Sequence, residues 1–342
     1  MRIFFVVFVA FLAGCGSPKT TFSFQGEAWG TRYNIVAIDP SASLDRGDVQ
    51  SMIDDVLQRV DVEVSNWNPD SEVSQFNAST SIEPQRVSEA LGSVIATAEL
   101  VHQQSNGKFD ITLAPLIELW GFGPRTPASP VPADEDIMAV LDRVGQSGML
   151  TFDPVLSRLA KARPDVTVNL SAIAKGYGID ELADALRELG INDFLVEVGG
   201  DLMTSGINPQ GEAWRIGIEQ PDAAPGAFGE IVELSDLGMA TSGDYRNYFE
   251  EDGVRYSHII DGETGRPVTH RTASVTVLAD SAMAADAWAT ALLVLGAEDG
   301  MVIAENEGLA ALFLVRDAEG DGGGFSAAAS ARFEAIQNSS NK

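Results

Sequence analysis

The sequence predicts an α+β protein in which helices pack on a mixed, largely antiparallel sheet. Two observations support this class: amphipathic helical patterns lie towards both ends of the chain, and several short alternating segments lie between them. Such segregation is typical of α+β folds, whereas a regular alternation of strands and helices would predict a parallel sheet. With 342 residues, of which 45 % are hydrophobic and 21 % charged, the chain has the size and composition of one large or two intimate globular domains.

The elements follow from the spacing of the apolar residues. Intervals of three and four predict helices over 49–64, 88–105, 134–144, 174–189 and 281–295. Ser88 is placed to cap the second of these helices. Alternating or continuously apolar segments predict strands over 28–38, 166–170, 194–198, 214–219, 229–234, 255–260, 273–278 and 310–316. A Pro- and Gly-rich loop spans 121–133.

The charge balance excludes one class of partner. The chain has 50 Asp and Glu residues against 22 Lys and Arg residues, which gives a formal net charge of −28. A surface this acidic repels phosphate backbones, so general nucleic-acid binding is not expected. A phosphorylated small molecule would need local help from backbone amides or from a metal cation.

The N-terminal segment has the pattern of an export signal. Arg2 precedes an apolar run over 3–13, which is too short for the ~20 residues of a membrane span. The single cysteine, Cys15, follows Leu-Ala-Gly, as in the lipobox of bacterial lipoproteins, and by itself it excludes an intramolecular disulfide. We expect a signal peptide over 1–14, then a lipidated cysteine and a tether over 15–24. The alternative is a plain secretory signal with an incidental cysteine.

Asp286 and Thr290 form the first candidate site. They lie four residues apart in a predicted helix, so their side-chain oxygens share one face of it. Carboxylate and hydroxyl oxygens are hard ligands that suit Mg²⁺ better than zinc or copper. The alternative is structural: the aspartate complements the helix dipole and the threonine bonds back to a carbonyl.

Three further stretches could carry chemistry. After Asn169, a predicted strand enters a turn of small residues and a helix with Lys175, which would offer backbone amides and a cation to an anion. His258, three residues before Asp261, could act as a base near neutral pH or be structural. The aromatic residues of 107–124 either stack on a flat ring or belong to the core.

Taken together, these motifs resemble the ApbE family, the FAD:protein FMN transferases, over 28–315. The motifs follow the order of the family and are Trp29-Gly30-Thr31, Gly107 to Asp110, Leu119 to Phe122, Ala172 to Tyr177, Gly199-Gly200-Asp201, Thr241 to Tyr245, Ser257 to Asp261, Thr264-Gly265 and Ala285 to Thr290. The resemblance implies an ApbE-like, T-fold-related, two-lobed catalytic unit over 25–335, followed by a tail over 336–342.

The resemblance also implies an activity. A family member of this kind uses Mg²⁺ to cleave the pyrophosphate of FAD, attaches FMN through a phosphoester to a threonine of an acceptor protein, and releases AMP. Implied acceptors are subunits of the Na⁺-translocating quinone reductase or of the Rnf complex. The implied location is the periplasmic side of the inner or outer bacterial membrane, held by the N-terminal lipid anchor. A periplasmic FAD pyrophosphatase that gives FMN and AMP, or a flavin-binding lipoprotein without catalysis, is the alternative.

The resemblance carries roles onto individual positions. It implies metal ligands at Asp286, Thr290 and the backbone oxygen of Ala172. It implies FAD contacts at or beside Trp29, Trp67, Lys108, Phe109, Asp110, Asn169, Lys175 and Ile260. We further expect Thr241 and Ser242 to orient the phosphates or the acceptor, His258 to take the proton of the acceptor hydroxyl, and Asp261 to partner His258. The sequence departs from many members at Asn169, where they have Asp, and at Gly262, where they have Pro.

Overall fold

The computed structural model describes residues 19–123, 131–221, 228–317 and 324–340. Cys15 and the expected signal peptide lie outside the described residues, as does the middle of the Pro- and Gly-rich loop. The helices are α1 (Arg46–Val64), α2 (Glu72–Ala78), α3 (Glu89–Gln104), α4 (Ala114–Leu119), α5 (Asp134–Leu141), α6 (Gln146–Met149), α7 (Ala174–Glu188), α8 (Ala282–Glu307) and α9 (Ala331–Ser340).

The strands of the described residues are β1 (Thr20–Ala28), β2 (Thr31–Asp39), β3 (Gln85–Arg86), β4 (Leu150–Asp153), β5 (Arg158–Lys161), β6 (Asp193–Val198), β7 (Asp201–Ser205), β8 (Trp214–Glu219), β9 (Phe228–Leu234), β10 (Gly238–Gly243), β11 (Tyr248–Glu251), β12 (Val254–Ser257), β13 (Ile260–Asp261), β14 (Arg266–Pro267), β15 (Thr272–Ala279), β16 (Ala310–Arg316) and β17 (Phe325–Ala329).

Eight strands form one large sheet in the order β1-β2-β6-β7-β10-β15-β16-β17. Each neighbouring pair in it is antiparallel, which confirms the predicted α+β class. A three-stranded sheet of β3, β5 and β4 and the hairpins β8-β9, β11-β12 and β13-β14 complete the strand pairing of the described residues. α9 runs past residue 335, so the expected tail over 336–342 begins inside a helix, and Phe333 of this helix is buried.

Helices cover one face of the large sheet. α8 packs on β10 and β15, α7 packs on α8, and α1 packs on α7. In β16, Ala311 and Phe313 belong to the main core under these helices, whereas Ala310 and Leu312 belong to the smaller core on the opposite face. This division follows from the two-residue period of a strand.

The N-terminal strand begins earlier than predicted. The predicted strand 28–38 is the second arm of a hairpin, in which Trp29 and Gly30 make the turn with φ of 50° and 78°. Residues 20–24, expected in the tether, form the first half of β1, and this expectation was wrong. The two phenylalanines of that segment are buried, so pairing with β2 places apolar surface in the core.

The glycines of the Ala172 to Tyr177 motif and its continuation allow α7 to approach its neighbours closely. A Cβ on Gly176 would collide with the carbonyl oxygen of Ala282 at the start of α8. A Cβ on Gly178 would collide with the indole ring of Trp29. The first turns of α7 and α8 therefore meet because glycine leaves room between them.

α8 is longer than predicted. Ser281 caps it by accepting from the amide of Ala284 at 3.1 Å. The helical segment passes residue 295 and continues to Glu307 across a break at Gly296, whose φ of 78° and ψ of 174° are not helical. α8 is the only helix of the described residues that is long and apolar enough to cross a membrane. More than half of that apolar stretch is buried inside the protein, as in a core helix.

The predicted strand 166–170 is extended but belongs to no sheet among the described residues. Val166, Val168 and Leu170 are fully buried and alternate with half-exposed residues, which explains the prediction. The backbone groups of Val168 and Leu170 bond to the side chains of Asn66 and Asn77 in place of a neighbouring strand. The amide of Asn169 between them donates to the carbonyl of Ile111 at 2.7 Å. The apolar pattern predicts the extended chain but not its partners.

Candidate active site

A cavity of about 350 Å³ collects most of the predicted site residues at the meeting point of α7, α8 and β10. The predicted residues that line it are Lys108, Phe109, Asp110, Asn169, Ala172, Lys175, Thr241, Ser242, His258, Ile260, Asp286 and Thr290. Segments far apart in sequence therefore form one site. Trp29, Trp67 and Asp261 are not among its lining residues.

The two tryptophans flank an adjoining groove. Trp29 and Trp67 line a second cavity of about 130 Å³, which shares Ser171 and Lys175 with the first. The indole Nε1 of Trp29 donates to the carbonyl of Leu57 at 3.2 Å, while the side chain of Trp67 is 70 % exposed. The two cavities form an elongated cleft with aromatic walls at one end, a shape that suits an extended ligand with a flat ring.

Asp286 lies at the base of the main cavity with only 4 % of its surface exposed. Its Oδ2 accepts from the backbone N–H of Gly176 at 3.1 Å. Since this N–H is used by Asp286, it does not bond to the carbonyl of Ala172 four residues earlier. In the part of the chain that the structure describes, the carbonyl oxygen of Ala172 has no backbone donor.

Hydroxyl groups complete this oxygen-rich corner. Thr290 Oγ1 and Ser242 Oγ lie 2.9 Å apart, and both side chains line the cavity. Thr241 Oγ1 lies 2.8 Å from Thr276 Oγ1 on the neighbouring strand. Thr241 and Ser242 thus belong to β10 of the large sheet and not to a loop, so the sheet fixes their backbone.

The charges around Asp286 favour a cation. Burial and the nearby charge of Asp201 raise the pKa of Asp286 well above its usual range. Lys175 forms an ion pair with Asp201, whose Oδ1 also accepts from the amide of Thr241 at 3.1 Å. Burial lowers the pKa of Lys175, but the charges of Asp201 and Asp286 outweigh it, and the pKa is raised. In the sequence, Asp201 stands out only as the end of a Gly-Gly-Asp motif, which does not indicate its part in the site.

The donor set fits magnesium. A carboxylate, a carbonyl without a backbone donor and a hydroxyl are hard oxygen ligands, and Mg²⁺ commonly takes one or two carboxylates together with substrate phosphates. No group of three or more His, Cys, Asp or Glu residues that could hold a metal occurs in the described ranges. The donor chemistry therefore favours a phosphate-assisted Mg²⁺ site over a transition-metal site.

His258 is oriented by a backbone carbonyl. Its Nδ1 lies 3.0 Å from the carbonyl oxygen of Asn247, and because a carbonyl only accepts, Nδ1 carries the proton. When the ring is neutral, Nε2 is then the accepting nitrogen. Burial lowers the pKa of His258, although the bond to Asn247 and the charge of Asp244 oppose this shift. The ring also lies edge-on to Phe122, with centroids 6.3 Å apart. This arrangement suits a general base at neutral pH.

The expected pairing of Asp261 with His258 was wrong. Oδ1 of Asp261 accepts from Lys108 Nζ at 3.0 Å and from the amide of Glu263 at 3.1 Å. Lys108 also donates to Glu263 Oε2 at 2.8 Å, and although burial lowers its pKa, these two acidic partners raise it. His258 and Asp261 lie three residues apart in sequence, but this spacing does not determine the direction of either side chain. Asp261 therefore holds Lys108 at the cavity rim.

The aromatic stretch is mainly core. Phe109 is 2 % exposed and Trp120 is 1 % exposed, so neither side chain offers a free face for stacking. Asp110 is engaged locally, since Oδ1 accepts from the amide of Thr112 at 2.6 Å and Oδ2 from that of Gln146 at 3.0 Å. Phe109 and Asp110 line the cavity, but the ring of Phe109 is buried and both carboxylate oxygens of Asp110 already accept backbone hydrogen bonds.

The cavity of this acidic protein also has cationic side chains, each of which is ion-paired with an acidic residue. Lys108, Lys175 and Arg246 all line it. Arg246, which is not among the site residues predicted from the sequence, is ion-paired with Glu219. It follows directly after the Thr241 to Tyr245 motif, which is the signal that could have identified it. Three cationic side chains around an oxygen-rich corner are suited to an anionic ligand that arrives with a metal ion.

Comparisons with known proteins agree with this geometry. The model of the ApbE family matches residues 29–313. The FAD:protein FMN transferase of Vibrio cholerae serotype O1 is 43 % identical over 309 residues, covering 90 % of this chain and 92 % of that protein. The enzyme of the same name from Salmonella typhimurium is 37 % identical over 319 residues, covering 90 % of each chain.

Solved structures show the same fold. The flavin transferase ApbE from Vibrio cholerae superimposes with a TM-score of 0.84 at 41 % identity, covering 93 % of this chain and 99 % of that one. The apo form of the flavinyl transferase ApbE from Pseudomonas stutzeri gives a TM-score of 0.84 at 37 % identity, covering 93 % of this chain and 97 % of that one.

Proposed function

Because this chain belongs to the ApbE family and is a flavin transferase, we propose that its cavity transfers FMN from FAD to a threonine hydroxyl of an acceptor protein with the help of Mg²⁺. The observation that carries this assignment is the meeting of Asp286, Thr290 and Ala172 with Lys175 and His258 in one cavity. The first three supply metal ligands, Lys175 supplies a cation, and His258 supplies a base.

The metal would be held by the Asp286 carboxylate, the Thr290 hydroxyl and the Ala172 carbonyl. When bound, Mg²⁺ neutralises the charge of the pyrophosphate and of the leaving phosphate. Gly176 fixes the orientation of the Asp286 carboxylate through its N–H, and Ser242 does the same for the Thr290 hydroxyl. These protein groups are thus oriented before the substrate arrives, which lowers the cost of binding.

The transfer exchanges one phosphorus–oxygen bond for another. The acceptor hydroxyl oxygen bonds to the FMN phosphorus while the bond from that phosphorus to the AMP phosphate breaks, and AMP leaves. His258 Nε2 takes the proton of the acceptor hydroxyl, since Nδ1 already donates to Asn247. A positioned base of this kind contributes about 10²–10⁴-fold to the rate.

The cleft provides separate places for the parts of FAD. Lys175 lies on the wall shared by the two cavities, where its charge attracts the pyrophosphate. Arg246 adds a second cation at the main cavity. The groove beside Trp29 and Trp67 offers aromatic surface to one of the flat rings of FAD. The two cavities together thus match an elongated, doubly charged dinucleotide.

An acceptor assay tests the proposal. The protein is incubated with FAD, Mg²⁺ and an acceptor fragment that carries the threonine, and a fragment with that threonine replaced by valine is the control. Covalent flavin fluorescence on the first fragment alone, with one AMP released per label, supports transfer. Free FMN and AMP without label would show a pyrophosphatase, and FAD binding without AMP release would show a flavin carrier.

We also propose that Cys15 is lipidated and holds the enzyme on the periplasmic side of a membrane, where subunits of the Na⁺-translocating quinone reductase or of Rnf-type complexes are accepting partners. The Leu-Ala-Gly-Cys sequence supports this proposal. Since β1 begins at Thr20, five residues at about 3.4 Å each would keep the domain within about 20 Å of the lipid. Labelling with an alkyne fatty acid tests it: a Cys15→Ala protein that keeps the label would refute the anchor.

A further inference from the structure

The segment 166–170 leads directly into the candidate active site but lacks a strand partner among the described residues. It delivers Asn169, Ser171 and Ala172 to the main cavity. The position of these residues therefore depends on whatever holds the backbone of this segment.

Two asparagine side chains take the place of a neighbouring strand. Asn77 Oδ1 accepts from the amide of Val168 at 2.7 Å, and its Nδ2 donates to the carbonyl of Val168 at 2.8 Å. Asn66 Nδ2 donates to the same carbonyl at 2.7 Å, and its Oδ1 accepts from the amide of Leu170 at 2.6 Å. Each asparagine thus makes one donated and one accepted bond, as an adjacent strand does.

A buried lysine fastens Asn77 to the start of the segment. Lys161 is 2 % exposed, and its Nζ donates to the carbonyls of Phe76 at 3.0 Å, Asn77 at 3.3 Å and Val166 at 3.2 Å. A buried ammonium is stable only when its donors are satisfied, and three carbonyls meet this requirement. Lys161 therefore connects the end of α2 to residue 166.

Leu170, whose amide is bonded to Asn66, is also bonded to the start of α7. The carbonyl of Leu170 accepts from the amides of Ile173 at 3.0 Å and Ala174 at 2.8 Å. These bonds form the turn that presents the Ala172 carbonyl and starts the helix with Lys175. Asn66 also precedes Trp67 in the adjoining groove, so one asparagine connects both walls of that groove.

We propose that Asn66 and Asn77, with Lys161 behind them, are positioning residues that set the place of Asn169, Ser171 and Ala172 for FAD binding. This inference rests on the proposed function in taking FAD as the ligand. The asparagines hold Val168 and Leu170, while a single backbone bond, from the amide of Asn169 to the carbonyl of Ile111 at 2.7 Å, holds the residue between them. Loss of either asparagine leaves Val168 or Leu170 with an unsatisfied backbone group and lets the turn shift.

The test is the dissociation constant of FAD, measured without acceptor and in the presence of Mg²⁺, with flavin fluorescence as the signal. Asn66→Ala and Asn77→Ala should each raise the dissociation constant of FAD about tenfold. Asn66→Asp, which keeps the acceptor for Leu170 N–H, should recover part of the affinity. Asn192→Ala is the matched control, since within the described residues its Nδ2 bonds only to the carbonyl of Gly190 at 3.4 Å on the exposed surface, and FAD affinity should be unchanged.

The melting temperature of each variant separates positioning from mere stability. Variants that melt lower but bind FAD as tightly as the wild type would overturn the inference, and if an alanine variant does not fold, Asn66→Asp and Asn77→Asp decide in the same way. The wild-type protein is assayed for transfer in parallel. Wild-type binding without transfer would refute the proposed function alone, whereas normal transfer with unaffected variants would refute the positioning role alone.

Discussion

The backbone N–H of Gly176 on α7 donates to Oδ2 of Asp286 on α8. The reverse contact also exists, since Asp180 of α7 accepts from the amides of Ala282 and Met283 in the first turn of α8 at 2.8 and 2.9 Å. Each helix thus supplies a carboxylate to the N-terminal amides of the other, where the helix dipole favours negative charge. This exchange fixes the direction of the candidate metal ligand.

Asp286→Ala should abolish the dependence of AMP release on Mg²⁺ and reduce transfer by about 10²-fold or more, because the one carboxylate of the proposed metal site is lost. A Mg²⁺ titration of AMP release measures this effect. Asp280→Asn is the control, since Asp280 is exposed just before α8 and should behave as the wild type. Full activity of Asp286→Ala with unchanged metal dependence would refute the assignment.

If His258 is the general base, kcat/KM should fall at acidic pH. Burial lowers the pKa of His258 below the ordinary value of 6.5 for a histidine, and the base works only when unprotonated. At saturating Mg²⁺, kcat/KM should therefore rise with pH through an apparent pKa below 6.5 and then level off. His258→Gln should lose about 10²-fold in turnover while its FAD affinity stays unchanged. A variant with normal turnover but weak FAD binding would instead show a binding role.

Arg246→Ala should raise the KM for FAD about tenfold and leave the melting temperature nearly unchanged, because Arg246 is exposed and its ion pair with Glu219 adds little stability. Steady-state kinetics with varied FAD measures this change. Arg215→Ala is the matched control. It removes an exposed arginine that pairs with Glu233 across the β8-β9 hairpin, the hairpin that also carries Glu219. Equal KM values for both variants would mean that Arg246 does not contact the ligand.

Gly176→Ala should destabilise the protein by about 1–3 kcal/mol, because the added Cβ collides with the backbone of Ala282 and pushes α7 away from α8. Chemical denaturation followed by tryptophan fluorescence gives this difference. Gly148→Ala on α6 meets no atom within 4 Å and serves as the control, with no loss of stability expected. Equal stability of the two variants would contradict the close helix crossing.

We expect the contribution of Asp39 to the stability of the folded state to depend on pH. Burial raises the pKa of Asp39, but hydrogen bonds from Leu44, Ser41 and Ser43 outweigh this and lower it to about 2. The lowered pKa stabilises the folded state above the unfolded value of 3.8, and this contribution is lost as pH falls through about 2. Asp39→Asn should therefore cost about 1–2 kcal/mol near pH 7, and the gap to the wild type should close in acid.

Denaturation of both proteins across this pH range is the measurement. Asp153→Asn is a suitable control, since a single oxygen, Oδ1, accepts from the amides of both Val155 and Leu156, and asparagine keeps such an oxygen. A gap between Asp39→Asn and the wild type that stayed constant down to pH 2 would show that the charge of Asp39 is not the source of the stability.

Much of the fold and the cavity could be predicted because the relevant signals are local. The spacing of Asp286 and Thr290 on one helix face and the cap at Ser88 depend on helix geometry alone, and both are present in the structure. The order of the motifs gave the family, which the comparisons confirm.

The remaining features depend on contacts that local patterns do not encode. Alternation at 166–170 predicts an extended chain, but Asn66 and Asn77 reach it from about a hundred residues away. The pairing of His258 with Asp261 failed because a backbone carbonyl and Lys108 compete for these side chains. Arg246 was missed because an exposed arginine has no apolar pattern to mark it.

Diffraction from a cocrystal with FAD and Mn²⁺, collected at the manganese edge, tests the central claim most directly. The account predicts an anomalous peak bonded to the Asp286 carboxylate and the Thr290 hydroxyl, beside the pyrophosphate of FAD. A bound FAD whose phosphates lie away from these side chains, or a manganese peak on other residues, would contradict it.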